Sequence, residues 1–211
     1  MVSLRSFYSQ HSRNFAIRRA GRAGAVLAAA TALALSLGAA QAVGASRASG
    51  SSGFSFKMVR TPGVTCLPHA GATVKITRGD LNDTMTVSVH GLPANTGFDL
   101  FVIQTPNKPF GVSWYQSDVQ TDKHGNGTAT VRGIFNVETF TLVPGTTPTP
   151  VHQYHLGLWF SSPAKPFALH CEGAATSPIV TPFNGEQHAG IQILNTSNFP
   201  ASKGPLAHVK A

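Results

Sequence analysis

The side chains of this sequence able to do chemistry are few and scattered. His155, His170 and His188 are candidates for a metal or acid–base site, with Cys171 beside His170 and Glu186 two residues before His188. His152 and His155 form the one close histidine pair. On a strand, residues three apart point to opposite faces, so these two rings do not easily share one ion. Carboxylate catalysis needs two placed acids. Of the eight acids, Asp80, Asp83, Asp118 and Asp122 lie in or near turn sequences, where aspartate bonds to the backbone. Of the other four, Glu138 and Glu186 are the ones to consider. No G-x-S-x-G segment follows residue 42, so a serine elbow is not indicated. A metal-dependent or hydrolytic enzyme with a site near His155, Glu186 and His188 is therefore the second reading, and no catalytic residue, metal ligand or cofactor is assigned.

The aromatic residues carry the first reading. PFGVSWYQ at 109–116 places Phe110, Trp114 and Tyr115 within six residues. Together with Trp159 and the polar residues Asn184, Glu186 and His188 they are the candidate ligand-binding set, an aromatic platform flanked by hydrogen-bonding groups of the kind that takes sugars or peptides. The competing reading makes these rings ordinary core, and exposure of Trp114 separates the two.

These residues must be carried by strands. Alternation of apolar and polar residues with period two predicts strands at 54–59, 72–77, 84–90, 98–104, 112–120, 127–132, 136–143, 152–160, 167–172 and 190–194. The links are rich in Gly, Pro, Asn and Asp, and 121–126 (TDKHGN) reads as a hairpin-type connection. The run 144–150 (PGTTPTP) is excluded from a central strand because proline donates no ladder hydrogen bond. At 98–104 Phe98, Leu100 and Val102 face one way and Phe101 and Ile103 the other, and 155–160 is likewise apolar on both faces; both are expected in the interior of a sheet. The fold class is all-β, a single antiparallel β-sandwich, immunoglobulin-like or jelly-roll-like, of about nine strands.

The N-terminal segment reads as a secretory signal peptide. Five arginines and no acid precede the Ala-rich run 23–40, and Ala40-Gln41-Ala42 is an A-x-A cleavage site. The expected division is a leader at 1–42, a flexible Gly/Ser linker at 43–53 and a domain at 54–211. An uncleaved anchor and twin-arginine export are the alternatives, and the small Ala and Gly residues of the apolar run favour cleavage. Removing the five leader arginines from the 16 basic residues leaves 11 against eight acids, a net charge of +3 rather than +8. With no basic block remaining, neither a nucleic-acid role nor stable membrane insertion after cleavage is expected. Cys66 and Cys171 are then the two cysteines of an exported chain, most simply one disulfide. The expected location is extracellular, and the expected partner a glycan or a cell-envelope component.

Two resemblances follow. Leu92, Thr96 and Phe98 have the spacing of the Leu-x-Pro-x-Thr-x-Tyr corner of immunoglobulin-like and fibronectin-like sandwiches, with a phenylalanine where that family carries its tyrosine. More widely, GLPANTGFDLF (91–101), HLGLWF (155–160), FNGE-x-HAG (183–190) and LNTSNFP (194–200) resemble segments of a group of secreted, uncharacterised bacterial proteins. That resemblance implies a secreted bacterial protein and no activity.

Overall fold

The computed structural model describes residues 53–140, 145, 147, 149–182 and 188–209. The expected leader, all but the last residue of the linker, Asn184, Glu186 and the Glu138 side chain lie outside what is described. The described strands are β1 (Phe54–Arg60), β2 (Gly71–Thr77), β3 (Asp83–His90), β4 (Gly97–Ile103), β5 (Ser113–Gln120), β6 (Gly127–Gly133), β7 (Val137–Phe140), β8 (Thr149–His152), β9 (His155–Phe160) and β10 (Gln192–Asn195). A single-turn helix, α1 (Ala164–Ala168), follows β9. Eight strands form one antiparallel sheet in the order β5-β4-β9-β10-β1-β2-β3-β6, curled nearly into a barrel, and β7 and β8 form a separate ribbon. No helix among the described residues is long and apolar enough to cross a membrane.

The antiparallel all-β class expected from the alternation is present, and the alternation sets the faces. Phe56 and Met58 of β1, Val74 and Ile76 of β2, and Met85, Val87 and Val89 of β3 are buried in one cluster. Phe98, Leu100 and Val102 of β4 and Leu156, Leu158 and Phe160 of β9 join it from the other half of the sheet. At about 25 cal/mol per Å² of apolar surface removed from water, this shared interior is the main stabilising term.

Three expectations are corrected. Residues 167–172 are not a strand: α1 and the turns after it occupy that stretch, and they bring Cys171 to Cys66. The two sulfurs form a disulfide closing 105 residues. It joins the β1–β2 loop to the turn after α1. The run 152–160 is divided at Gln153–Tyr154 between the ribbon and the main sheet. Pro150 is accommodated in that ribbon, opposite Thr139.

The 121–126 link is not a ladder hairpin either, because β5 pairs with β4 and β6 with β3. It carries the chain between the two edges of the curled sheet and locks the 91–97 corner. Thr121 Oγ1 donates to the Pro93 carbonyl at 2.6 Å and accepts the Thr96 amide at 2.9 Å. The Leu92 amide reaches the Gly125 carbonyl at 3.2 Å, and the Asn95 amide the Asp122 carbonyl at 3.0 Å. Phe98 has no hydroxyl with which to fix its corner, and the threonine hydroxyl supplies the lock. Asp122 serves the same link: Oδ1 accepts the His124 and Asn126 amides at 2.8 and 3.0 Å. These bonds, Asn126 first and then His124, hold its carboxyl below the usual carboxylate range.

Candidate functional site

The outer face of the β5-β4-β9-β10 half carries the chemistry. β9 and β4 turn alternate residues to that face, all of them buried, so His155, Gly157 and Trp159 stand beside Ile103, Phe101 and Asp99, their paired positions. Two bulges add residues that simple alternation would turn away. In β5 the register shifts between Leu100 and Phe101, so Tyr115 pairs with Phe101 and Asp118 with Asp99. Tyr115 and Asp118, three apart, therefore share a face, and the Tyr115 hydroxyl donates to Asp118 Oδ1 at 2.9 Å. In β10 a shift between Gln192 and Leu194 pairs Gln192 with Trp159 and Asn195 with Gly157. Asn195 Nδ2 donates to Gln192 Oε1 at 2.9 Å.

An aromatic chain runs across this face. Phe110 meets Trp159 edge-on with ring centres 5.0 Å apart, Trp159 meets Phe101 at 5.4 Å, and Phe101 meets Tyr115 at 5.6 Å. Trp159 is fully buried in it. Its ring lies over Gly157, where an added Cβ would come within 2.3 Å of Cζ3 and 2.6 Å of Gln192 Nε2, so glycine is required for that packing. Tyr115 is 47% exposed. Its phenol is pushed up to about 12 by partial burial, then by the hydrogen bond and charge of Asp118 and the charge of Asp99. It remains a protonated donor at neutral pH.

Trp114 is 51% exposed, but it pairs with Val102 and so belongs to the opposite face of β5 from Tyr115. The structure thus brings Phe110, Tyr115 and Trp159 together and sets Trp114 apart, and His188 is exposed. In acrylamide quenching we expect one accessible and one shielded tryptophan, and Trp114→Phe should remove the accessible fraction. A quencher that reaches neither indole, or Trp159 first, contradicts this packing.

His155 is buried, with Nε2 3.1 Å from the Ala201 carbonyl and Nδ1 2.8 Å from Thr196 Oγ1. A carbonyl only accepts, so Nε2 carries the proton and Nδ1 accepts from the threonine hydroxyl, which in turn accepts the Leu156 amide at 3.2 Å. Neither nitrogen is left for a metal or a substrate. His170 is exposed in the turn after α1, in the left-handed region at φ 54°. Among the described residues no group of three His, Cys, Asp or Glu is placed to hold a metal ion.

A cleft of about 590 Å³ opens at one end of the aromatic chain, beside Phe110. Its walls come from the β1–β2 loop (Thr61 to Val64), the β4–β5 loop (Asn107, Lys108, Phe110), the turn bearing Cys171 and Glu172, and Ile179, Thr181, Ile191 and Gln192. Asn195 Nδ2 holds the β4–β5 loop over the sheet through the Pro106 carbonyl at 2.9 Å. The disulfide ties the first wall to the third. Gln192 is 5% exposed; its Oε1 accepts from Thr61 and Asn195, while its Nε2, packed over Gly157, has no hydrogen-bond partner among the described residues. Glu172 Oε2 accepts the Ile179 amide at 3.0 Å, and Oε1 is buried without a donor among the described residues. Sequence reasoning reached Phe110 and Cys171 but missed Gln192, Glu172 and Lys108. They come from separate segments, with no spacing to signal them.

No protein-family model matches the chain, and no curated protein matches it.

Proposed function

We propose that the protein is a secreted, non-catalytic binding protein that engages a component of the extracellular space or cell envelope at the cleft beside Phe110. The observation that carries this reading is the cleft itself, about 590 Å³ lined by the apolar Val64, Phe110, Ile179 and Ile191 together with the polar Thr61, Asn107 and Lys108. A largely apolar pocket with a few polar groups is the usual form of a ligand site. The disulfide and the leader-like N-terminus support export, as does the resemblance to secreted bacterial proteins. We read the two halves of the curled sheet, β5-β4-β9-β10 and β1-β2-β3-β6, as the two layers of a sandwich whose loops wall the site.

A thermal-shift screen of glycans and cell-envelope fragments tests the proposal. A ligand at a hundred times its Kd stabilises the folded protein by roughly 2.7 kcal/mol, and Phe110→Ala and Ile179→Ser should each diminish that shift. A screen with no stabilising compound, or a shift that both substitutions leave intact, refutes the reading.

A further inference from the structure

We infer that the outer face of the β1-β2-β3-β6 half is a second docking surface, apart from the cleft, whose partner is an acidic polysaccharide carrying sparse carboxylates. Alternation builds the face. Phe56, Met58, Val74, Ile76, Met85 and Val87 turn inward to the core, so the residues between them turn outward. The register sets these in rows across the four strands: Lys57, Thr73, Ser88 and Thr128 in one, and Ser55, Lys75, Thr86 and Thr130 in the next. Thr77, Thr84 and Arg132 form a third. None of these residues is buried, and none lines the cleft. Their hydroxyls meet across the strands: the Oγ1 atoms of Thr86 and Thr130 are 3.5 Å apart, and Thr128 Oγ1 donates to Ser88 Oγ at 3.4 Å.

Every formal charge in these rows is positive. Lys57, Lys75 and Arg132 cross the face on a diagonal, one to a row. Asp83 is the one acid of the four strands; it has the opposite parity from Thr84, and its Oδ1 accepts the Gly79 amide at 3.1 Å. From the usual strand spacing and rise, the backbone sites of Lys57 and Lys75 are about 8 Å apart and those of Lys75 and Arg132 about 12 Å. This spacing selects among polyanions. Duplex nucleic acid presents a charge about every 1.7 Å of its axis and calls for a denser basic stripe. A lipid surface calls for large apolar side chains that insert into it, and the rows hold none. A polysaccharide with an occasional carboxylate offers complements in the proportion that the face presents. Its many hydroxyls match threonine and serine hydroxyls that both donate and accept, and its few anions match the ammonium and guanidinium groups.

Calorimetric titration of the disulfide-bonded protein with sodium hyaluronate, a polysaccharide with one carboxylate per disaccharide, tests the inference. Its comparison ligands are the methyl ester of hyaluronate, neutral dextran and a double-stranded DNA oligonucleotide. Hyaluronate should bind saturably at millimolar concentration of its disaccharide, and more weakly as salt is raised. The ester and dextran should bind about tenfold more weakly, as should the variant carrying Lys57→Gln, Lys75→Gln and Arg132→Gln, three exposed ion pairs being lost in each case. A second variant, with Lys123→Gln, Lys165→Gln and Lys203→Gln, removes the same charge at exposed sites elsewhere and should bind as the parent does. Circular dichroism confirms that both variants fold. Equal losses in the two variants overturn the inference, because net charge alone then accounts for binding. Binding that survives the first variant also overturns it, because the leader-like arginines are common to all three proteins. An ester or dextran that matches hyaluronate removes the role of charge, and DNA that matches it removes the selection for a saccharide; either result overturns the inference, as does the absence of saturable binding.

Discussion

Replacing Cys66 and Cys171 together by alanine should lower the free energy of unfolding by up to roughly 4–5 kcal/mol, the chain-entropy value for a loop of about a hundred residues. The bond closes 105 residues, so in the variant the unfolded chain regains most of the freedom that the crosslink removes. For a domain of this size the loss corresponds to roughly 10–20 °C in Tm. Cys171 is buried, so the variant also leaves a small cavity that adds to the loss. Denaturant unfolding of the oxidised protein and the variant checks this. A difference below about 1 kcal/mol would mean that the bond restrains little. Because the disulfide ties together two walls of the cleft, ligand affinity should fall with it, even where the variant is fully folded.

His155→Ala should cost about 3–4 kcal/mol, measured by denaturation at pH 8. The ring is fully buried. Its removal leaves a cavity and strands the Thr196 hydroxyl and the Ala201 carbonyl, both bonded to it. A pH dependence accompanies the loss. Burial is the main effect and holds this imidazole below the usual histidine range, partly offset by the backbone of Ala201, Pro200 and Thr196. The unfolded chain titrates near 6.5. Below that pH the unfolded state binds more protons than the folded one, so stability falls as the pH drops toward the folded value. The contribution is fully present above about pH 6.5. The gap between wild type and His155→Gln should therefore narrow from pH 8 to pH 5. A gap that stays constant would show that the ring does not titrate with unfolding.

The strands of the main sheet were largely legible because their residues alternate. Met85, Val87 and Val89 face the core as their spacing demands, and Phe98, Leu100 and Val102 separate from Phe101 and Ile103 as expected. Residues 167–172 misled because Phe167, Leu169 and Cys171 alternate like a strand, whereas their conformation is set by a helical turn and by the reach to Cys66. The site was less legible than the fold. That Trp114 and Tyr115 diverge follows from adjacency on a strand, yet Tyr115 and Asp118 share a face only because of a bulge that no local pattern announces. Gln192 and Asn195 repeat the case. Trp159 reads as a candidate for display and is the most enclosed ring of the outer face, because Gly157 leaves the space that it fills.

β1 pairs with β2 through Phe54 to Met58 and with β10 only through Val59 and Arg60. No residue of β1 pairs on both sides, so the ladder between the two halves of the sheet narrows there to a seam two residues wide. Cys66 follows β1 on one side of that seam and Cys171 follows β9 on the other. In the language of partial unfolding, the disulfide is a covalent bolt across the narrowest ladder of the sheet. Once reduced, the domain has a ready line for sub-global opening, and the amides of residues 59–61 are the place where hydrogen exchange would register it first.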